Sequence, residues 1–193
     1  TFDATWARCH ACAHECAIPE DAAGTCRVRF NRGGTLMVPW GYVAGVQSDP
    51  IEKKPFFHVE PGSRAFSFGM LGCDLTCGCC QNWVSSQALR DPAAGTGITE
   101  TSPEMLVQAA LHSGARALVS TYNEPLITTE WAVAVFKAAR AAGLLTGYVS
   151  NGHGTPTVVE YLAPWVDLFK VDLKGFDELQ YRNYGGRLAP VLD

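Results

Sequence analysis

The sequence predicts an α/β fold built on a parallel sheet, on three observations. From residue 64 onward, short apolar runs alternate with segments of helical period. The runs are separated by stretches long enough for helical crossovers, which parallel strands require. The polar residues of chemical character fall directly after the runs, in "GCDLTCGCCQN", "TYNEP", "SNG" and "DLKG". Strand carboxyl ends are where α/β barrels and open sheets gather ligands, so four such ends point at one site.

In chain order, residues 1–47 form a small Cys-rich N-terminal region. Within it "RVRFNRGGTLMVPW" (27–40) alternates like a hairpin, with Val28 and Phe30 facing one side, Leu36 and Val38 opposite them and "NRGG" as the turn. Residues 48–63, "SDPIEKKPFFHVEPGS", are too rich in Pro and charge for a regular element and read as a connector with specific contacts. Residues 64–193 carry the α/β pattern. "RAFSFGM" (64–70) is the first strand and "DPAAGTG" (91–97) a loop. Ser102 caps a helix with Pro103 in its first turn and Gly114 as its stop. A strand at 115–120, a helix at 129–142 closed by Gly143, a strand at 144–150, a helix opened by Thr155–Pro156 and a strand at 165–173 complete the pattern.

The 193 residues suit one domain, or one and a half, and can bury a sizeable core. Apolar residues make up 47 % and charged residues 18 %, as in an ordinary globular chain. A net charge of −4 argues against a nucleic-acid or anionic-membrane surface. No run is long enough for a transmembrane helix and no export signal is visible, which suggests a cytoplasmic protein. The first residue is not Met and "GGRLAPVLD" ends without a cap, so a fragment of a longer chain is expected.

Eight cysteines in such a chain suggest metal rather than disulfides. They fall into two tight clusters and leave residues 81–193 bare, whereas staples spread over the fold they hold. Adjacent Cys79 and Cys80 cannot pair without strain. Cys73, Cys77 and Cys80 stand as C-x3-C-x2-C. A structural zinc site wants four ligands, whereas a 4Fe–4S cluster held by three thiolates keeps one iron open for a small molecule. The spacing therefore reads as an open, catalytic site. Cys9, Cys12, Cys16 and Cys26 offer four thiolates, which close a second site that is structural or electron-relaying and holds zinc or an iron–sulfur cluster. His10 and His14, between them, could replace a ligand but read better as exposed loop histidines, and His153, directly after "SNG", could face the site but reads better as solvated, as do His58 and His112. Trp83 is expected under the cysteine loop, and Glu52, Lys53 and Lys54 as a cover for the active site or a partner-binding run, with a solvated charge run as the plainer alternative.

Cys73-x3-Cys77-x2-Cys80 directly after a first strand, followed by βα units, resembles the radical S-adenosylmethionine (radical SAM) superfamily. The resemblance implies a partial TIM-type (β/α) barrel, truncated after the fourth strand where the family has six. It implies that the open iron chelates S-adenosylmethionine and that one electron cleaves its C–S bond to give a 5′-deoxyadenosyl radical, which abstracts hydrogen from a substrate. "TYNEP" resembles the family's Gly-Gly-Glu motif, with Tyr122 and Asn123 in place of the glycines. Glu124 would accept from the cofactor ammonium, supported by Asn123. Ser150 and Asn151 of "SNG" would contact ribose or carboxylate. Lys174 of "DLK" would meet the cofactor carboxylate, and Asp172 would hold a monovalent cation. Cys79 replaces the family's aromatic and would keep a backbone contact near the adenine.

The stretches "DPIEKKP", "PGSRAFSFGMLGC", "CQNW", "VDLKGFDE" and "YGGRL" are similar to the radical enzyme of the AmmeMemoRadiSam system. That likeness implies a flavodoxin- or ferredoxin-type electron donor and other proteins of that system as partners, with the substrate open. Three competing readings stand beside it. One is activation of a glycyl radical enzyme, as in pyruvate formate-lyase activases. The second is a structural zinc-binding interaction module, and the third a simple electron carrier. Neither of the last two uses the strand-end Glu124 and Lys174.

Overall fold

A computed structural model describes residues 5–193. The Cys-rich region holds two small antiparallel pairs, β1 (Ala7–Arg8) with β2 (Ala17–Ile18) and β3 (Phe30–Arg32) with β4 (Thr35–Met37). The second pair is the expected hairpin. Gly33 and Gly34 both take positive φ, 58° and 75°, as a tight two-residue turn requires. The register differs from the expected one: Phe30 pairs with Met37 and Asn31 with Leu36, while Val28 lies outside the ladder. Asn31 explains the difference. It is fully buried, and its amide donates to the carbonyls of Ile18 (2.8 Å) and Thr5 (2.6 Å), so it faces inward where alternation placed a solvent position. Val28 instead packs with Cys26 and Ile127.

Next come β5 (Tyr42–Val43), β6 (Gly45–Pro50), β7 (Arg64–Gly69), α1 (Trp83–Ser86), β8 (Thr99–Glu100), α2 (Pro103–His112), β9 (Ala115–Ser120) and α3 (Thr129–Ala141). The chain continues through β10 (Leu145–Ser150), α4 (Pro156–Leu162), β11 (Leu168–Val171), α5 (Glu178–Asn183) and α6 (Ala189–Leu192). One sheet has the order β11-β10-β9-β7-β6. Its strands β7, β9, β10 and β11 are parallel, as expected, and β6 runs antiparallel to β7. Strand β6 corrects the expectation of an irregular segment from residue 48. Its Pro50 pairs with Arg64 at the last position of an edge strand, where a missing N–H costs nothing. β11 is shorter than expected because residues 163–165 form a single 3-10 turn, whose Trp165 carbonyl accepts from Thr146 Oγ1 (2.6 Å).

Ser102 Oγ accepts from Met105 N (3.2 Å) and Thr155 Oγ1 from Val158 N (3.2 Å), so both helix starts carry the predicted caps. The strand period of two sorts the core. Phe66, Phe68 and Met70 face α2 and α3, where they meet Leu118, Trp131, Phe136 and Tyr148. Burying an aromatic such as Phe136 contributes roughly 2–3 kcal/mol. Ala65, Ala117 and Val119 face the other way and are covered by Ile51 and Phe56 of the connector. Phe56 reaches β10 at Gly147, where a Cβ would come within 3.2 Å of its ring. No described helix is long and apolar enough to cross a membrane.

Candidate functional site

The loops after β7, β9, β10 and β11 lie at the carboxyl ends of the parallel strands and line one cleft, which Cys73, Cys77, Cys80, Glu124, Ser150 and Lys174 all reach. The cysteine loop is pinned from several sides. Gly72 N–H donates to Ser85 O (3.0 Å), Thr76 N–H to Tyr184 O (2.8 Å), and Gln87 Nε2 and Arg90 Nη1 both to Leu75 O (3.1 Å each). All three thiols are free. Leu75 N–H donates to Cys73 Sγ (3.4 Å), and Cys80 Sγ lies 3.3 Å from Ser86 Oγ. Burial, then the charges of Asp74 and Glu124, push the Cys73 thiol well up. Burial pushes Cys77 up to about 11, against the pull of the Lys174 ammonium. Thiols so raised are poor free nucleophiles, and a metal ion is what would draw off their protons. Cys79 also lines the cleft and is exposed.

Glu124 is buried and ties two strand ends together. Its Oε1 accepts from Leu126 N (3.0 Å) and Ser150 Oγ (2.7 Å), its Oε2 from Asn151 N (2.8 Å). Burial, with the Asp74 charge beside it, raises its pKa to about 8 in spite of these donors. A carboxylate offers about four lone-pair sites, so one remains for an ammonium donor. Asn123 supports the turn: its Oδ1 accepts from Met70 N (2.9 Å) and its Nδ2 donates to Glu124 O (3.2 Å). Tyr122 keeps the backbone shape a glycine would have, with φ 75°. Its ring packs over Gly69, where an added Cβ would meet Tyr122 Cβ at 2.9 Å.

Lys54 does not follow the plainer alternative of a solvated charge run. It is 6 % exposed, pairs with Asp49 (3.3 Å), donates to the Tyr122 hydroxyl (3.0 Å) and lies 4.7 Å from the ring centroid. Trp83 starts α1 and is 40 % exposed. Asn151 lines the cleft, but its side chain is turned into the protein, with Nδ2 donating to Asp74 Oδ1 (2.8 Å) and Oδ1 accepting from His153 N (2.8 Å). Asp172 is met by Lys170 at Oδ1 and by Lys174 at Oδ2 (2.9 Å). The carboxylate expected to hold a monovalent cation is thus already faced by two ammonium groups.

Two residues of the site were missed. Asp74, in the cysteine loop, is 1 % exposed, and His153 is 0 % exposed, not solvated. His153 Nδ1 lies 2.8 Å from Asp74 Oδ2, and Arg187 N–H donates to His153 Nε2 (3.3 Å). That donor assigns the imidazole proton to Nδ1. His14 corrects the exposed-histidine reading too: it is partly buried, its Nε2 lies 3.1 Å from Asp74 O, and its ring meets that of His153 edge-on. Their ligand atoms lie within 4.8 Å of one another, a metal-sized group. Both ring nitrogens of His153 are engaged, however, so the arrangement is a hydrogen-bonded hub. The pairing spans 79 positions, and the one local hint is a His directly after "SNG".

Cys9, Cys12 and Cys26 are buried and Cys16 is partly so. Arg29 Nη1 approaches Cys9 Sγ (3.9 Å) and Thr25 N–H donates to Cys16 Sγ (3.5 Å). Burial first, then the charge of Asp74, pushes the Cys12 thiol up. Among the described residues, no three of these thiols lie within 4.8 Å of one another. Tetrahedral zinc with Zn–S bonds of about 2.3 Å would hold its sulfurs about 3.8 Å apart. His10 is exposed and lies 3.3 Å from Glu15 Oε1.

A family profile described as the radical SAM superfamily matches residues 69–193. An uncharacterized protein of Methanocaldococcus jannaschii is 33 % identical over 187 residues, 96 % of this chain and 55 % of that protein. The chain thus spans about half the length of this curated relative.

Proposed function

The chain belongs to the radical SAM superfamily, and from that premise we propose that Cys73, Cys77 and Cys80 hold a 4Fe–4S cluster at whose open iron S-adenosylmethionine binds. The observation that carries this reading is the meeting of three free thiols, a buried carboxylate with one lone pair to spare and a lysine in a single cleft. The bound pair supplies one-electron cleavage of the sulfonium C–S bond and so a carbon radical for hydrogen abstraction. The chain's own residues hold and orient. Glu124 receives the cofactor ammonium on its remaining lone pair, a charge-assisted contact. Ser150 and the Asn151 N–H fix the Glu124 rotamer, and Asn123 fixes the turn that carries it. Lys174 faces the cofactor carboxylate, and Cys79 flanks the adenine through its backbone.

We read the four parallel strands as part of a (β/α) barrel, and the enzyme as that of the AmmeMemoRadiSam system, on the stretches quoted above. A reductant of the flavodoxin or ferredoxin type serves it, in the cytoplasm. The N-terminal cysteines form a second, closed site. Four thiolates suit zinc or an iron–sulfur cluster alike.

The test is anaerobic reconstitution with iron and sulfide, then EPR of the reduced protein with and without S-adenosylmethionine. The expected result is a reduced-cluster signal that shifts on adding the cofactor and disappears in Cys77→Ala. A protein that binds only zinc, or a signal indifferent to the cofactor, overturns the reading in favour of a structural module or an electron carrier.

A further inference from the structure

The Asp74 carboxylate is held from both ends, by Asn151 Nδ2 and by the Nδ1–H of a histidine whose other nitrogen accepts from Arg187. Its charge partner is an imidazole rather than a lysine or arginine. The same Oδ1 that accepts from Asn151 lies 3.8 Å from Cys73 Sγ. A Cys73 thiol can donate its proton to that oxygen. A metal-bound Cys73 thiolate has lost the proton, and two electron-rich acceptors then face each other with nothing between them. One donor opposes them, the Leu75 N–H at 3.4 Å from the same sulfur.

We propose that Asp74, fixed by Asn151 and His153, is a positioning residue that lowers the reduction potential of the cluster by keeping a buried negative charge against the Cys73 sulfur. The proposal rests on the cluster assignment made above. Reduction adds one negative charge to the cluster. A fixed carboxylate in a low-dielectric loop disfavours the reduced form more than the oxidised one, and net charge and hydrogen bonds at the sulfurs are what tune such potentials. A lower potential makes a stronger one-electron reductant. His153 and Asn151 matter because the effect depends on the carboxylate staying beside the sulfur instead of turning to solvent.

The experiment is a dye-mediated redox titration of the reconstituted protein, read by EPR, on the parent, Asp74→Asn, Asp74→Glu and a distant surface control, Glu100→Gln. Iron content and thermal melting are checked for each. Asp74→Asn is nearly isosteric and keeps an acceptor for His153, and its midpoint is expected to move positive by about a tenfold change in the oxidised-to-reduced ratio at fixed potential, about 59 mV for one electron. Asp74→Glu keeps the charge and is expected to stay near the parent, as is Glu100→Gln. If Asp74→Asn retains its iron at an unchanged midpoint, or if the Asn and Glu variants shift alike, Asp74 is only structural and the proposal fails. Loss of the cluster in Asp74→Asn alone also overturns it, since assembly rather than tuning would then be the role. A parent protein that takes up no iron removes the cluster assignment itself, a different failure that shows before any variant is compared.

Discussion

The Ser150 hydroxyl donates to Glu124 Oε1 at 2.7 Å, joining the end of β10 to the turn after β9. Removing the charge from that carboxylate tests whether it holds a cofactor or merely a turn. In Glu124→Gln one of the three donors now at the carboxylate meets an amide NH2. The loss of one charge-assisted contact is expected to weaken S-adenosylmethionine binding about ten- to hundredfold. Equilibrium dialysis on the reconstituted protein measures it.

The same residue gives a pH dependence. Its folded pKa is raised to about 8 from 4.5, so the folded state holds the proton more tightly than the unfolded one. The stability this contributes is complete below about pH 4.5 and is lost as pH rises through about 8. For metal-free protein, melting temperature is expected to fall between pH 5 and 8 by more in the parent than in Glu124→Gln. The difference between the two slopes isolates Glu124 from the opposing contribution of His14, whose pKa burial lowers.

Tyr122 is the next case, because its φ of 75° suits glycine. Tyr122→Val places a β-branched residue there and is expected to cost about 1–3 kcal/mol, and more than Tyr122→Gly, which relieves the backbone but gives up the Lys54 contacts. Chemical denaturation of the three proteins compares them.

Gly69, beneath that ring, has no room for a methyl group. An added Cβ would meet Thr121 O at 2.8 Å and Tyr122 Cβ at 2.9 Å. Gly69→Ala is expected to destabilise by about 1–3 kcal/mol and to disturb the turn that carries Glu124. Denaturant midpoints and cofactor binding, measured together, should both fall.

Arg29 is buried, donates to Ile127 O (2.7 Å) and is paired with Glu130 at the start of α3. Glu130→Ala leaves that guanidinium without its counter-charge and is expected to cost about 1–3 kcal/mol, less than a fully buried pair because Glu130 is 36 % exposed. The expected sign is a lower denaturant midpoint, and an unchanged one would show the pair to be idle.

Much of this architecture was legible in the chain, for identifiable reasons. The strands at 64–70, 115–120 and 144–150 announce themselves because both faces are largely buried, and the helices before the second and after the third open on Ser102 and Thr155 caps. The polar strand ends were legible because Glu124 and Lys174 have no packing reason to follow apolar runs. β6 was hidden by Pro50 and its charged neighbours, since an edge strand tolerates what a central strand forbids. Asn31 inverted the hairpin's expected register because a buried amide with two carbonyl acceptors reads, in sequence, as a turn residue. Asp74, His153 and Lys54 look solvated one by one and become interior only through partners far along the chain.

The N-terminal knuckle touches the α/β core through chain-distant polar contacts: Arg29 to Ile127, Ala13 N–H to His153 O, Thr155 Oγ1 to His10 O and Arg187 to Ala13 O. A protease nick at the exposed Gly33 tip would sever the backbone without severing these, so the two pieces would elute as one particle and part only in denaturant. The cysteine-rich segment behaves in this respect less like an appended module than like a keystone, set in place by the arch it completes.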